Sequence, residues 1–159
     1  MDTSPYLLLK TLHLVGVVLF LGNIVVTGWW KVMADRTRHP QIVAFAQRQV
    51  TLTDWVFTAG GATLLAIGGL GNAHLHGLDH QHVRWLAWGY WSFMVSGVLW
   101  VAVLIPVQVQ QARLARAFAD GDPIPERYWQ LGRIWMTVGS VATVIPFTAI
   151  WWMVVKPVA

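Results

Sequence analysis

Tyr6-Leu-Leu-Leu-Lys10-Thr-Leu-His13-Leu-Val-Gly16-Val-Val-Leu-Phe20-Leu-Gly-Asn23-Ile-Val-Val-Thr27-Gly28 is the stretch that decides the fold. Apart from Lys10, Thr11, His13, Asn23 and Thr27 it is apolar or glycine. The hydrocarbon core of a bilayer takes about 20 residues of α-helix, and this run supplies them. It does not alternate polar and apolar residues as a barrel strand would. No Lys or Arg precedes it and no A-x-A site follows, so it reads as a span and not a signal peptide. Ser4-Pro5 is a helix start signal just ahead of it. Three more runs share its character: residues 52–71, 83–109 and 133–155. The expectation is a single transmembrane domain over residues 1–159. Its fold class is all-α: an integral membrane, four-helix, up-and-down bundle.

Composition outside that stretch agrees. Of 159 residues, 56% are hydrophobic and 11% charged, against roughly 45–50% and 25% in soluble domains. So few charges cannot cover a soluble surface, and so much apolar residue excludes disorder. A mean hydropathy of +0.53 and eleven Trp fit a membrane protein with aromatic belts. The chain has no Cys, which excludes disulfides, iron–sulfur clusters and thiolate metal sites. A pI near 10.0 would suggest nucleic acid for a soluble protein. Here the basic residues flank the spans, so they set topology and no nucleic-acid partner is expected.

Eight of the eleven Lys and Arg fall between spans one and two or three and four: Lys31, Arg36, Arg38, Arg48, Arg113, Arg116, Arg127 and Arg133. The positive-inside rule then places the first and third loops in the cytoplasm. Both termini and the second loop fall on the outer, periplasmic side of a bacterial inner membrane. On this reading Trp29, Trp30, Trp55, Trp129 and Trp135 form the inner belt. Trp85, Trp88, Trp91, Trp151 and Trp152 form the outer one, and Trp100 sits midway. Residues 41–50 read as a short amphipathic helix on the inner surface. Residues 119–125 read as a turn-rich loop.

Polar and small residues within spans face other helices before they face lipid. Lys10, His13, Gly16, Phe20, Asn23 and Thr27 make one such stripe. Asp54, Thr58, Gly61, Leu65, Gly68 and Asn72 make a second. Ser92, Ser96, Val103 and Gln110 make a third, and Gly132, Met136, Gly139, Thr143 and Pro146 a fourth. Four stripes facing one axis describe a compact bundle, and equally a set of packing seams.

His13 is the one His inside a span, about 10 Å beyond Tyr6 at 1.5 Å per residue. A neutral imidazole there binds a haem iron or a metal, relays a proton, or bonds to a neighbouring helix. Lys10, one turn outward, either snorkels or meets an anionic group such as a haem propionate. Gly16 either leaves room for a flat ligand or serves helix contact. The second loop carries His74, His76, Asp79, His80 and His82 within nine residues. That donor set suits zinc, copper(II) or nickel. Asp54 is expected to pair with Arg48 or Arg133 at the inner interface, or to take up protons. Pro106 and Pro146 are expected to kink their spans. Nucleotide-binding, zinc-protease and serine-hydrolase motifs are absent from the sequence.

The run Tyr6-Leu-Leu-Leu-Lys10-Thr-Leu-His13 with Gly16 after it, and the ending Trp151-Trp-Met-Val-Val-Lys156-Pro157, resemble a group of small bacterial membrane proteins. These are the HemJ-type protoporphyrinogen oxidases, the CopD-like copper-resistance membrane domains and related uncharacterised integral membrane proteins. The resemblance implies haem b bound at His13 within the bundle. Lys156 matches a terminal Val-Lys-Pro motif. The HemJ-type pattern also has a functional Lys near the start of the third span, where this chain has Arg84 and Trp85. The His-rich second loop stands outside that pattern.

The leading expectation is a haem b-binding membrane redox protein, an oxidoreductase with His13 as axial ligand. Lys10 and Gly16 would help to hold the cofactor, and His76 or His74 would be a second ligand if there is one. Its partner would be a quinone or another redox protein. One alternative is a copper- or zinc-binding or metal-permeation protein using His74, His76, His80 and His82. Another is a non-catalytic membrane subunit. Association of several copies of the chain is left open by the sequence.

Overall fold

The computed structural model describes residues 3–156. Six α-helices follow in order: α1 Thr3–Thr37, α2 Pro40–Thr53, α3 Gly60–Leu75, α4 Arg84–Leu99, α5 Ile105–Ala117 and α6 Glu126–Val155. A π-helical stretch, Asp54–Ala59, joins α2 to α3, and a second, Trp100–Leu104, joins α4 to α5. The result is four long helices, Pro5–Thr37, Pro40–Leu75, Arg84–Ala117 and Glu126–Val155, each long and apolar enough to cross a membrane. No strand occurs among the described residues. The all-α, four-span expectation holds.

Local chemistry explains the breaks. Arg38 adopts a left-handed φ of 52°, His39 is extended, and Pro40 starts α2 where a missing N–H costs nothing. Gly121, at φ 110°, turns the third loop, which is irregular over residues 118–125 as expected. The second π-helical stretch sits just before Pro106, which cannot donate to the Ala102 carbonyl, and the wide turn absorbs that loss. Pro146 lies inside α6 without ending it.

The four helices run 33, 36, 34 and 30 residues, or about 45–54 Å at 1.5 Å per residue. That exceeds a hydrocarbon core of about 30 Å. The excess lies at the end bearing the first and third loops, here called the basic end. Lys31, Arg36, Arg48, Arg113, Arg116, Arg127 and Arg133 therefore sit on helix extensions and not in loops. The 41–50 segment is likewise no separate surface helix. It belongs to the second long helix and buries Val43, Ala44, Gln47 and Val50 against α1 and α5. Protein covers the face of Val43, Ala44 and Val50, while Ile42 and Phe45 stay exposed.

At the basic end the four long helices close into a ring, with a core of Val43, Ala44, Ala115, Phe118 and Tyr128. The opposite end, carrying the chain termini and the second loop, is here called the terminal end. There the helices form two pairs. In one pair α1 and α3 bring their backbones into contact: a Cβ on Gly61 would lie 2.6 Å from the Phe20 nitrogen. Gly16 faces Leu65 and Gly68 faces His13 equally closely. In the other pair, α4 presents Gly89 and buried Ser92 and Ser96 to α6, where Met153 fills the space over Gly89.

Between the pairs contact is sparse. Among the described residues no Cα of α4 comes within 8 Å of α1 or α3, and none of α6 within 8 Å of α3. Packed helices run 8–10 Å apart, so these are not packed. Backbone contacts join all four helices at the basic end and leave the two pairs farther apart at the terminal end, not four stripes on one axis. Phe20 and Phe93 span the divide edge to face at 6.5 Å. Trp55 and Trp100 lie 6.2 Å apart, so they share one level instead of two.

Candidate functional site

In the terminal half, His13 of α1 leans on α3. A Cβ at Gly69 would meet its ring at 2.9 Å from Nδ1 and 3.1 Å from Cε1, so glycine there makes room for the imidazole. Nδ1 lies 2.9 Å from the Leu65 carbonyl oxygen. A carbonyl only accepts, so Nδ1 carries the hydrogen and donates, and in the neutral ring the lone pair is then on Nε2. Ligand histidines are commonly oriented in this way, by a hydrogen bond from the nitrogen that does not bind.

The other residues expected around a cofactor are placed differently. Gly16 is filled over by the α3 backbone and leaves no room for a flat ligand. Lys10 is exposed, with its Nζ 5.5 Å above the Tyr6 ring. His76 bonds its own helix at the Asn72 carbonyl, 2.8 Å, and meets Tyr6 edge-on at 5.2 Å. Tyr6 is two turns, about 10 Å, from His13, so His76 and His13 are not brought together. His74 is exposed. His80 stacks on Tyr90 at 4.4 Å. The Asp79 carboxylate receives His80 at 3.4 Å and His82 at 3.0 Å. Among the described residues no three His, Asp or Glu side chains converge as metal ligands. The Gln81 backbone N–H, donating to Asp79, and then the two imidazoles hold that carboxyl below the usual range.

The basic half holds a buried polar column. Lys31, 1% exposed, donates to Gln47 Oε1 at 2.8 Å and to the Tyr128 hydroxyl at 2.9 Å, and pairs with Asp35 at 3.3 Å. Three acceptors match the three hydrogens of the ammonium. Its charge also lies 4.9 Å from the Tyr128 ring centre and 5.9 Å from that of Trp135. Tyr128 Oη stands 3.2 Å from Gln47 Oε1 and 3.4 Å from Asp35. Lys31, a topology residue by the charge pattern of the sequence, is the centre of a buried cluster.

Further along the column, Asp54 is 8% exposed. Its Oδ1 accepts from Asn23 Nδ2 at 3.2 Å and Thr58 Oγ1 at 3.0 Å. Gln108 is also in reach of the carboxyl and accepts from Trp135 Nε1 at 3.4 Å. The expected Asp54–Arg pair is not formed. Arg48 stands six residues away, about 240° round the helix, and lies over Phe45. Arg133 pairs with Glu126 at 3.5 Å.

Part of this column carried a sequence signal. Gln47, Thr51, Asp54 and Thr58 recur at steps of four, three and four, and Lys31–Asp35 is an i,i+4 pair. Tyr128, which lies across a loop, carried none. At the other end Lys156 holds its Nζ 5.1 Å from the Trp85 ring centre, while Pro157 lies outside the described residues.

No curated protein and no solved structure matches the chain. One family model matches residues 7–157, which takes in all four helices, His13 and the polar column. On that match the chain belongs to the family described as "Predicted integral membrane protein (DUF2269)".

Proposed function

We propose that the protein binds haem b in the membrane and acts in electron transfer, with His13 as the axial ligand. The observation that carries the reading is the His13 Nδ1–Leu65 bond, which fixes the ring and leaves Nε2 free to bind. The wider spacing between the helix pairs supports it, because a flat cofactor does not fit between closely packed helices. His13 is the one protein ligand on this reading, since His76 lies two turns away. Bound haem supplies one-electron chemistry; the chain orients the imidazole and excludes water. A quinone or another redox protein is the partner class, and the basic end faces the cytoplasm of a bacterial inner membrane.

The test is an absorption spectrum of the detergent-purified protein, oxidised and then dithionite-reduced, with metal analysis on the same sample. A Soret band that sharpens on reduction is expected. It should be lost in His13→Ala and kept when His74, His76, His80 and His82 are replaced together. A flat spectrum from cells supplied with haem overturns the reading. Bound copper or zinc would then point to the loop histidines, and neither metal to a non-catalytic subunit.

A further inference from the structure

We propose that Asp54 is a proton-exchanging carboxyl, reached from the basic end along the buried column Asp35–Tyr128–Gln47–Thr51. The inference does not depend on haem. Asp54 sits on the first residue of a π-helical turn, a feature frequent at functional sites. It lies at a junction of three long helices: Asn23 comes from the first, Thr58 from its own, and Gln108 from the third. Trp135 of the fourth stands behind Gln108.

Every partner of the carboxyl is neutral. On the first long helix Lys31 and Asp35 are committed to each other, and Lys10 and Arg36 are exposed. On the third, Arg113 and Arg116 are exposed; on the fourth, Arg133 is taken by Glu126; on its own helix, Arg48 is exposed. Among the described residues no cation lies within ion-pair distance of Asp54. A lone buried carboxylate is costly, and taking one proton turns it into a neutral acid. Asn23 and Thr58 donate to Oδ1 in either state, while the Gln108 oxygen accepts from Trp135.

A polar path toward the basic end crosses three long helices: Asp35 on the first, Tyr128 on the fourth, and Gln47 and Thr51 on the second. Asp35, 22% exposed, opens at the basic end. Tyr128 bridges Asp35 and Gln47, and Gln47 Nε2 lies 3.5 Å from Thr51 Oγ1. Thr51 donates to the Gln47 carbonyl at 2.9 Å and stands one turn from Asp54 on the same face, without a direct bond to it. Beyond Asp54, toward the terminal end, the α1–α3 seam is closed by backbone contact at Gly16, Phe20 and Gly61.

The experiment is an infrared pH titration of the whole chain in lipid nanodiscs, by hydrogen–deuterium difference. The expected result is a protonated-carboxyl band that titrates in the wild type and is absent in Asp54→Asn. After a pH jump the same band should rise several-fold more slowly in Thr51→Val. If Asp54→Asn fails to fold, carbon-13 aspartate labelling of the wild type reads the buried carboxyl directly. A band unchanged in Asp54→Asn, or a buried carboxyl that never titrates, overturns the proposal. So does a titration that shifts between sodium and potassium at equal ionic strength, because the carboxylate would then be a metal-cation site.

Discussion

Lys31 shows why a charged side chain survives inside this bundle. A buried ammonium is tolerated when a carboxylate and hydrogen-bond acceptors surround it, and Asp35, Gln47 and Tyr128 do so. Tyr128→Phe leaves one ammonium hydrogen without its acceptor and should lower stability by about 1–3 kcal/mol, read by thermal unfolding in detergent. Asp35→Ala strands the ammonium, at about 3–5 kcal/mol. Lys31→Met should cost less, because Asp35 has access to water; the opposite order would show that the carboxylate, not the ammonium, needs the pair. In the second loop, Asp79 is held below the usual carboxylate range. Its contribution to loop order is therefore present above that range and is lost as pH falls through the lowered value. The Gln81 amide resonance should titrate in acid and stop doing so in Asp79→Asn.

The α1–α3 seam depends on glycine at particular positions. Gly61 faces the Phe20 backbone, whereas a Cβ on neighbouring Gly60 would meet nothing within 4 Å. Gly61→Val must push the helices apart and should cost about 1–3 kcal/mol or more. Gly60→Val should leave the melting temperature close to wild type, since its side chain enters open space. Equal effects at both positions would remove the seam as the cause. The π-helical turns act on the same scale. The first holds Asp54 and Thr58, which both meet Asn23, and the second precedes Gln108.

For the whole molecule, the charge count and the spacing of the helix pairs make separate claims. The chain has no Cys, so single cysteines report without background. Gln81 and Asp120 are both exposed, at opposite ends. With the basic end in the cytoplasm, an impermeant thiol reagent added to spheroplasts should label Gln81→Cys and spare Asp120→Cys. Labelling of Asp120→Cys alone would invert the topology and place the Asp54 column on the other side.

Sequence by itself determined the class: long apolar runs, few charges and Trp-rich flanks leave helices in a bilayer as the one way to satisfy the backbone. It also marked His13, Asp54 and the glycine stripes, because polar or small residues stand out against an apolar span. It did not show that residues 41–50 join a span, since an amphipathic face reads the same whether protein or a membrane surface covers it. Nor did it show that Lys31 is buried, that Asp54 has no arginine, or that the helix pairs part at the terminal end. Those depend on which faces meet across loops, at sequence separations of up to 97 residues for Lys31 and Tyr128. Periodicity along one helix says nothing about its partner; only the tertiary arrangement brings the two together.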